Sequence, residues 1–119
     1  MEISAKLQLK PGQRLATVAE TDAVPSTAGE TIEPADSPSA ADAVIAFVLT
    51  LAALDTIATP AIEAAREDRL AWIAYPKARQ LGTDLNRDVL AELITREDVR
   101  PVRQIALDDV WSALRLRPA

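Results

Sequence analysis

Two short apolar runs, at residues 42–49 and 70–75, flank an alanine-rich segment at residues 51–66, and this order constrains the fold more than any other feature. Nearly continuous apolar runs of this length are typical of strands covered on both faces, as in a parallel sheet. The segment between them carries apolar residues at helical spacing. The order therefore predicts two parallel strands joined by a crossover helix.

Pro60 interrupts the predicted helix, and Thr59 precedes it. Threonine is a favourable N-cap residue, and proline is favoured at the first helical position. We therefore expect a break or kink at this point rather than loss of the helix.

Two further elements are predicted on either side of this unit. A buried strand at residues 15–19 follows the turn signal Lys10-Pro11-Gly12. A second helix, with Thr83 or Asp84 as its cap, is indicated by apolar residues at helical spacing. These residues are Leu85, Val89, Leu90, Leu93 and Ile94.

Residues 102–107 and 110–117 flank Asp108-Asp109 and predict an antiparallel hairpin. A two-residue turn would place Ile105 and Leu107 on one face with Val110, Leu114 and Leu116. The other face would then carry Val102, Gln104, Ala106, Trp111, Ala113, Arg115 and Arg117. A longer loop would shift this alignment.

The predicted fold class is α/β, with a mostly parallel sheet and a C-terminal antiparallel hairpin in a single domain spanning residues 1–119. Residues 20–41 are rich in Ala, Ser, Thr, Pro and acidic residues. We interpret them as a mobile acidic loop, with one short strand around residues 30–33.

The charge and the missing residue types narrow the function classes. Residues 1–68 carry four Lys/Arg against eleven Asp/Glu, and residues 69–119 carry nine against seven. The net charge of −5 argues against a nucleic-acid binder. The chain has no cysteine and no histidine, which removes thiolate nucleophiles and the usual neutral-pH base. No apolar run is long enough for a membrane span, and we expect a cytoplasmic protein with no membrane partner.

Four stretches in the second half have a motif-like order. They are Tyr75-Pro76-Lys77, Thr83-Asp84-Leu85-Asn86-Arg87-Asp88, Arg100-Pro101-Val102-Arg103-Gln104 and Asp108-Asp109-Val110-Trp111-Ser112-Ala113-Leu114-Arg115. This pattern resembles a family of small bacterial proteins that is defined as a domain of unknown function. The resemblance implies a reduced version of the Rossmann-like methyltransferase fold. The chain departs from the family at Glu67-Asp68-Arg69, where members often have a Gly-Gly turn.

The segment after the first predicted strand reads Glu20-Thr21-Asp22-Ala23 and contains no glycine. Methyltransferases and dinucleotide enzymes need glycines there, because the backbone must approach the cofactor closely. We therefore predict no cofactor.

Basic residues cluster near the carboxyl end of the strand at residues 70–75, where open α/β sheets bind ligands. Lys77 follows that strand, and Arg87 lies in the first turn of the next helix, where amide groups favour anions. Convergence of Lys77, Arg79, Arg87 and Arg103 would make a small anion site. The alternative is that Arg87 pairs with Asp84 or Asp88 and the other side chains are solvated.

Other candidate chemistry is weaker. Four aspartates carry the oxygen ligands that a hard cation needs, but their spacing matches no known loop, and we predict no metal site. These are Asp84, Asp88, Asp108 and Asp109. Ser112 with Lys77 would be a nucleophile and base, yet Ser112 falls in a strand without a strained turn. We expect Trp72 and Trp111 to pack in the core, whereas an exposed Trp111 beside Arg115 would indicate a cation–π surface.

Three hypotheses for function follow. The first is a non-enzymatic α/β protein that binds a partner or a small anionic ligand, with a regulatory role. The second is an enzyme of degenerate methyltransferase type. The third is a structural or interaction domain that uses the hairpin edge at residues 110–117 for strand pairing. The oligomeric state is left open.

Overall fold

One six-stranded sheet runs through the molecule. The computed structural model describes residues 2–119. Its strands are β1 (Arg14–Ala19), β2 (Glu33–Pro34), β3 (Ala43–Phe47), β4 (Leu70–Pro76), β5 (Val99–Ala106) and β6 (Trp111–Pro118). Its helices are α1 (Ile3–Lys6), α2 (Leu51–Arg66) and α3 (Arg87–Thr95). The order of strands across the sheet is β2-β1-β3-β4-β6-β5.

The sheet has a parallel half and an antiparallel half. Strands β2, β1, β3 and β4 pair in parallel, and β6 runs antiparallel to both β4 and β5. The predicted α/β class with a C-terminal hairpin is therefore confirmed. The strand–helix–strand unit is also confirmed, since α2 connects the parallel neighbours β3 and β4.

Each face of the sheet is covered by a different part of the chain. On the side that we call the helical face, α2 and α3 pack against residues such as Val44, Ile73 and Leu114. On the side that we call the N-terminal face, α1 and the segment after it pack against Ile45 and Trp72. Double coverage explains why β3 and β4 read as continuous apolar runs. Among the helices described for residues 2–119, none has the length and apolarity needed to cross a membrane.

Helix α2 is continuous through Pro60, so the helix is retained as expected and is not broken at this residue, and a kink there stays a prediction. The side chain of Thr50 caps the helix by accepting a hydrogen bond from the Ala53 amide at 3.1 Å. Thr59 is not an N-cap, because its hydroxyl instead donates to the Asp55 carbonyl one turn back. Buried alanines on both sides of the proline, Ala58 and Ala61, hold the helix against the sheet. This packing offsets the hydrogen bond that proline removes.

The cap of α3 also differs from the prediction. Asn86 caps this helix by accepting from the Val89 amide at 2.9 Å. The predicted caps, Thr83 and Asp84, instead contact the start of α2: the Thr83 hydroxyl donates to the Leu49 carbonyl, and an Asp84 carboxylate oxygen accepts from the Leu51 amide at 2.9 Å. Both residue types suit a cap, and the tertiary structure decides which helix they serve.

The face assignment predicted for the hairpin is wrong, because the loop at residues 107–110 is longer than two residues. A carboxylate oxygen of Asp108 accepts from the amides of Val110 and Trp111 at 2.8 and 2.7 Å, which stabilises the longer loop. Ala106 consequently pairs with Ser112. A shift of one residue moves every side chain of a strand to the other face. Gln104 and Ala106 therefore lie on the helical face with Leu114, while Arg103 and Ile105 lie on the N-terminal face with Ala113 and Arg115.

The strand at residues 110–117 is not an edge. Strand β6 lies between β4 and β5, so the free edge on this side of the sheet belongs to β5. Pro101 and a β-bulge between Pro101 and Arg103 interrupt that edge. Both features discourage pairing with another strand.

The segment predicted as an acidic loop makes specific contacts with the rest of the chain. The Glu30 carboxylate accepts from the amides of Ile3 and Ser4 at 3.0 and 2.8 Å. The indole N–H of Trp111 donates to the Ala23 carbonyl at 2.9 Å. The short predicted strand is β2, displaced toward Glu33–Pro34. Mobility of this segment stays a prediction.

Replacing Pro60 with alanine is expected to raise the free energy of unfolding by about 1 kcal/mol, because α2 then regains one backbone hydrogen bond. The measurement is urea denaturation followed by circular dichroism. Pro25→Ala is the matched control, since Pro25 lies outside the helices and strands. That variant is expected to be no more stable than the parent chain. A Pro60→Ala variant of unchanged or lower stability would contradict this account.

Candidate functional site

The usual ligand position of an open α/β sheet is filled here by the chain itself. Ligands usually bind beyond the carboxyl ends of two neighbouring strands whose following connections run to opposite sides. In this sheet the two strands are β1, which leads to β2, and β3, which leads to β4. Glu20 directly follows β1, and its carboxylate accepts from the amides of Leu49 and Thr50 at 2.5 and 3.1 Å. The Thr50 hydroxyl donates to the other carboxylate oxygen at 2.7 Å. Glu20 therefore binds the two amides that precede α2, and Asp84 binds the Leu51 amide at its first residue.

An open cleft of about 710 Å³ lies one strand further along, beyond the carboxyl end of β4 and beside the N-terminus of α3. Three of the four predicted anion-site residues line it: Lys77, Arg79 and Arg87. Arg103 does not line it. Its neighbour Gln104 occupies the position on the helical face, and Arg103 points to the opposite face of the sheet.

The three basic residues have few charged partners. The Lys77 ammonium donates to the backbone carbonyl of Asp108 at 2.6 Å, which orients it without neutralising its charge. Arg87 approaches Asp88 at 3.5 Å, where the two side chains are 55% and 94% exposed, so this pair is weak. Arg79 has no carboxylate partner within salt-bridge distance among residues 2–119. Asp84 also lines the cleft, and its carboxylate accepts from the Leu51 amide, so the lining carries three basic side chains and one acidic side chain.

The loop that follows β4 has an unusual backbone. Ala78, Arg79 and Leu81 have φ values of 44°, 63° and 55°, and Gly82 has 69°. This region costs non-glycine residues roughly 1–2 kcal/mol each, whereas glycine adopts it freely. Strain of this kind persists where the surrounding structure imposes it, and it is enriched at binding sites.

Polar side chains form the floor of the cleft, and sequence reasoning singled out only Ser112 among them, as a possible nucleophile with Lys77. The Tyr75 hydroxyl accepts from the Gln104 side-chain amide at 3.0 Å, and Ser112 lies opposite Tyr75 on β6. Tyr75 and Ser112 are only 4% and 6% exposed. Finding Gln104 would have required the correct pairing of β5 with β6. Gln104 lies on the same face as Tyr75 only because the hairpin loop is longer than two residues.

The remaining predicted candidates have structural roles. Among residues 2–119, no group of three or more acidic side chains is arranged to hold a metal ion. Both tryptophans are buried, which confirms the core prediction. The indole N–H of Trp72 donates to the Leu7 carbonyl at 3.1 Å. Trp111 packs edge-to-face on Phe47, with ring centroids 5.1 Å apart.

No protein-family model matches this chain, and neither does any curated protein. The resemblance to the bacterial family therefore stays a prediction.

The single tyrosine of the chain gives a direct test of the floor of the cleft. Burial raises the pKa of Tyr75 above its ordinary value of 10.0, and the positive charge of Arg87 only partly opposes this effect. We expect phenolate absorbance at 295 nm to appear at higher pH in the folded protein than in urea-unfolded protein.

The same shift links stability to pH. A pKa raised by folding contributes stability that is present below the unfolded pKa and is lost as pH rises through the folded pKa. The free energy of unfolding should therefore fall as pH rises above 10, and Tyr75→Phe should remove this part of the decline. Phenolate absorbance that appears at the same pH with and without urea would contradict the buried position of the hydroxyl.

Proposed function

We propose that the protein binds a small anion bearing a phosphate or carboxylate group in the cleft beyond β4, and that it does so without catalysing a reaction. The observation that carries the proposal is the convergence of Lys77, Arg79 and Arg87 on one open cleft, whose lining includes one acidic residue, Asp84. Guanidinium groups match the geometry of phosphate and carboxylate oxygens, and an ammonium adds a point charge.

The location of the cleft supports the same class of ligand. It lies beside the N-terminus of α3, where the helix dipole and the amide groups of the first turn favour negative charge. The strained loop at residues 78–82 brings Arg79 to the rim, so backbone strain and charge coincide at one place. At the start of α2, by contrast, the carboxylates of Glu20 and Asp84 already bind the amides of residues 49–51.

The floor of the cleft supports binding rather than catalysis. A tyrosine whose pKa is raised by burial stays protonated at neutral pH, so Tyr75 acts as a hydrogen-bonding group and not as a base. With Gln104 and Ser112 it offers polar atoms to the uncharged part of a ligand. The chain has no histidine or cysteine that would serve as a base or nucleophile.

The two other hypotheses have less support. A methyltransferase-type cofactor would use the position beyond β1, which Glu20 occupies. Strand pairing through residues 110–117 is not available, since β6 has a neighbour on both sides. The order β2-β1-β3-β4 with a crossover helix does support the proposal that the parallel half is Rossmann-like. Membership of the bacterial family and a cytoplasmic location remain part of the proposal.

The test is a titration of the full chain with inorganic phosphate, pyrophosphate and citrate, followed by ¹H–¹⁵N NMR. We expect saturable shifts at the amides of residues 77–88. The double variant Arg79→Gln/Arg87→Gln should weaken binding of the tightest anion about tenfold or more, because two charge-assisted contacts are lost. Binding should also weaken as ionic strength rises.

Arg100→Gln/Arg103→Gln is the matched control for this titration. It removes the same charge from β5, outside the lining of the cleft, and is expected to leave anion binding unchanged. Equal loss of affinity in both double variants would mean that net charge, and not the cleft, governs binding. Absence of saturable shifts with all three anions at millimolar concentration would overturn the proposal.

A further inference from the structure

A second concentration of positive charge lies on the opposite face of the sheet and at its opposite end. On the β5–β6 ribbon, Arg100 pairs directly with Arg117, and Arg103 pairs directly with Arg115. Residues opposite each other in an antiparallel ribbon project to the same side. Arg115 and Arg117 are two residues apart on β6, so both pairs lie on the N-terminal face. We call these four residues the arginine face.

The β-bulge in β5 creates this alignment. Arg100 and Arg103 are three residues apart, and in a regular strand they would project to opposite faces. The register shift between Pro101 and Arg103 inserts one extra residue, which brings both arginines to the same side. Bulges that redirect side chains are typical of sites with a function.

Little negative charge opposes the arginine face. Asp68 lies within 3.2 Å of Arg117 and is the sole carboxylate in salt-bridge contact with the four arginines among residues 2–119. Like charges directly opposite each other destabilise a sheet. The arrangement therefore costs stability, which an anionic partner would restore.

Arg115 has an incomplete set of hydrogen bonds. One terminal nitrogen donates to the Gln8 side chain at 3.1 Å. Its Nε is buried and has no acceptor among the described residues. Burial lowers the pKa of Arg115, and the nearby positive charge of Arg117 acts in the same direction. An anion over this face would stabilise the charged guanidinium.

From this geometry we infer that the arginine face binds an extended acidic peptide segment of a partner protein, with carboxylates on alternate residues. Side chains on one side of an extended chain repeat every two residues, or about 6.6 Å, and the two arginine pairs have the same repeat along β6. Each pair of guanidinium groups then meets one carboxylate. The segment lies across the face, because Pro101 and the bulge obstruct pairing at the edge of β5.

A single-stranded nucleic acid fits this surface less well. Such binding relies on aromatic side chains on which bases stack. The chain has four aromatic residues, and all of them are buried: Phe47, Trp72, Tyr75 and Trp111. The overall charge of −5 also repels a long polyanion. A segment that carries a few carboxylates reaches the local patch at a smaller electrostatic cost.

The test uses the full chain and a fluorescein-labelled peptide of about ten residues in which serine and glutamate alternate. Fluorescence anisotropy measures its affinity, and NMR locates the shifts, which are expected on β5 and β6. A peptide of the same composition with its glutamates in one block is expected to bind several-fold more weakly. A labelled oligothymidine of similar length is the third probe.

Two double variants separate this site from the cleft. Arg100→Gln/Arg103→Gln changes exposed residues of the edge strand and is expected to weaken peptide binding about tenfold or more. Arg79→Gln/Arg87→Gln removes the same charge from the cleft and is expected to leave peptide binding unchanged. For small anions we expect the opposite result, with binding weakened by the Arg79/Arg87 variant and unchanged by the Arg100/Arg103 variant. The two proposals can therefore be refuted independently.

Several results would overturn the inference. They are equal affinity for the alternating and blocked peptides, equal loss in both double variants, tighter binding of oligothymidine than of the peptide, or no binding at millimolar peptide. A circular dichroism melt of each variant checks that it is folded. Arg100 and Arg103 are exposed, so we expect their replacement to leave the fold intact.

Discussion

Burial of β3 and β4 on both faces is the constraint on which the rest of the structure depends. All residues of β3 are buried, and β4 is buried from Ala71 to its end. Two central strands of this kind need two separate covers. Helices α2 and α3 supply one, and α1 with the segment after it supplies the other. The hydrogen bond from Trp72 to Leu7 and those from the Ile3 and Ser4 amides to Glu30 hold the second cover in position.

This arrangement also determines where a ligand has access. The N-terminus of α2 points toward the carboxyl ends of the central strands, where an anion would ordinarily bind. Glu20 and Asp84 provide that negative charge from within the chain. The accessible cleft is displaced to the next position, where β4 ends and α3 begins. Lys77, Arg79 and Arg87 are consequently found at a cleft whose lining includes one carboxylate, that of Asp84.

The antiparallel half distributes the remaining arginines. The long loop stabilised by Asp108 sends Gln104 to the cleft and Arg103 to the other face. The bulge after Pro101 then brings Arg100 to the same side as Arg103. Two local irregularities in one hairpin therefore separate the basic residues into a cleft and a flat face. The two surfaces differ in shape, so we expect them to recognise different anions.

The sequence alone determined the α/β class, the bounds of α2, the core positions of both tryptophans and three members of the cleft. The fold class, the helix and the core positions depend on local apolar patterns, which can be read from the sequence. The cleft residues follow from the rule that open α/β sheets bind ligands beyond the carboxyl ends of their strands. Tertiary structure alone decided the continuity of α2 at Pro60, the helix that Asp84 caps, and the face to which Arg103 points. The first two depend on contacts between segments that are distant in the sequence. The third depends on the length of the hairpin loop, which sets the pairing of β5 with β6. The local sequence favours neither outcome strongly in any of these cases, and tertiary packing selects one of them.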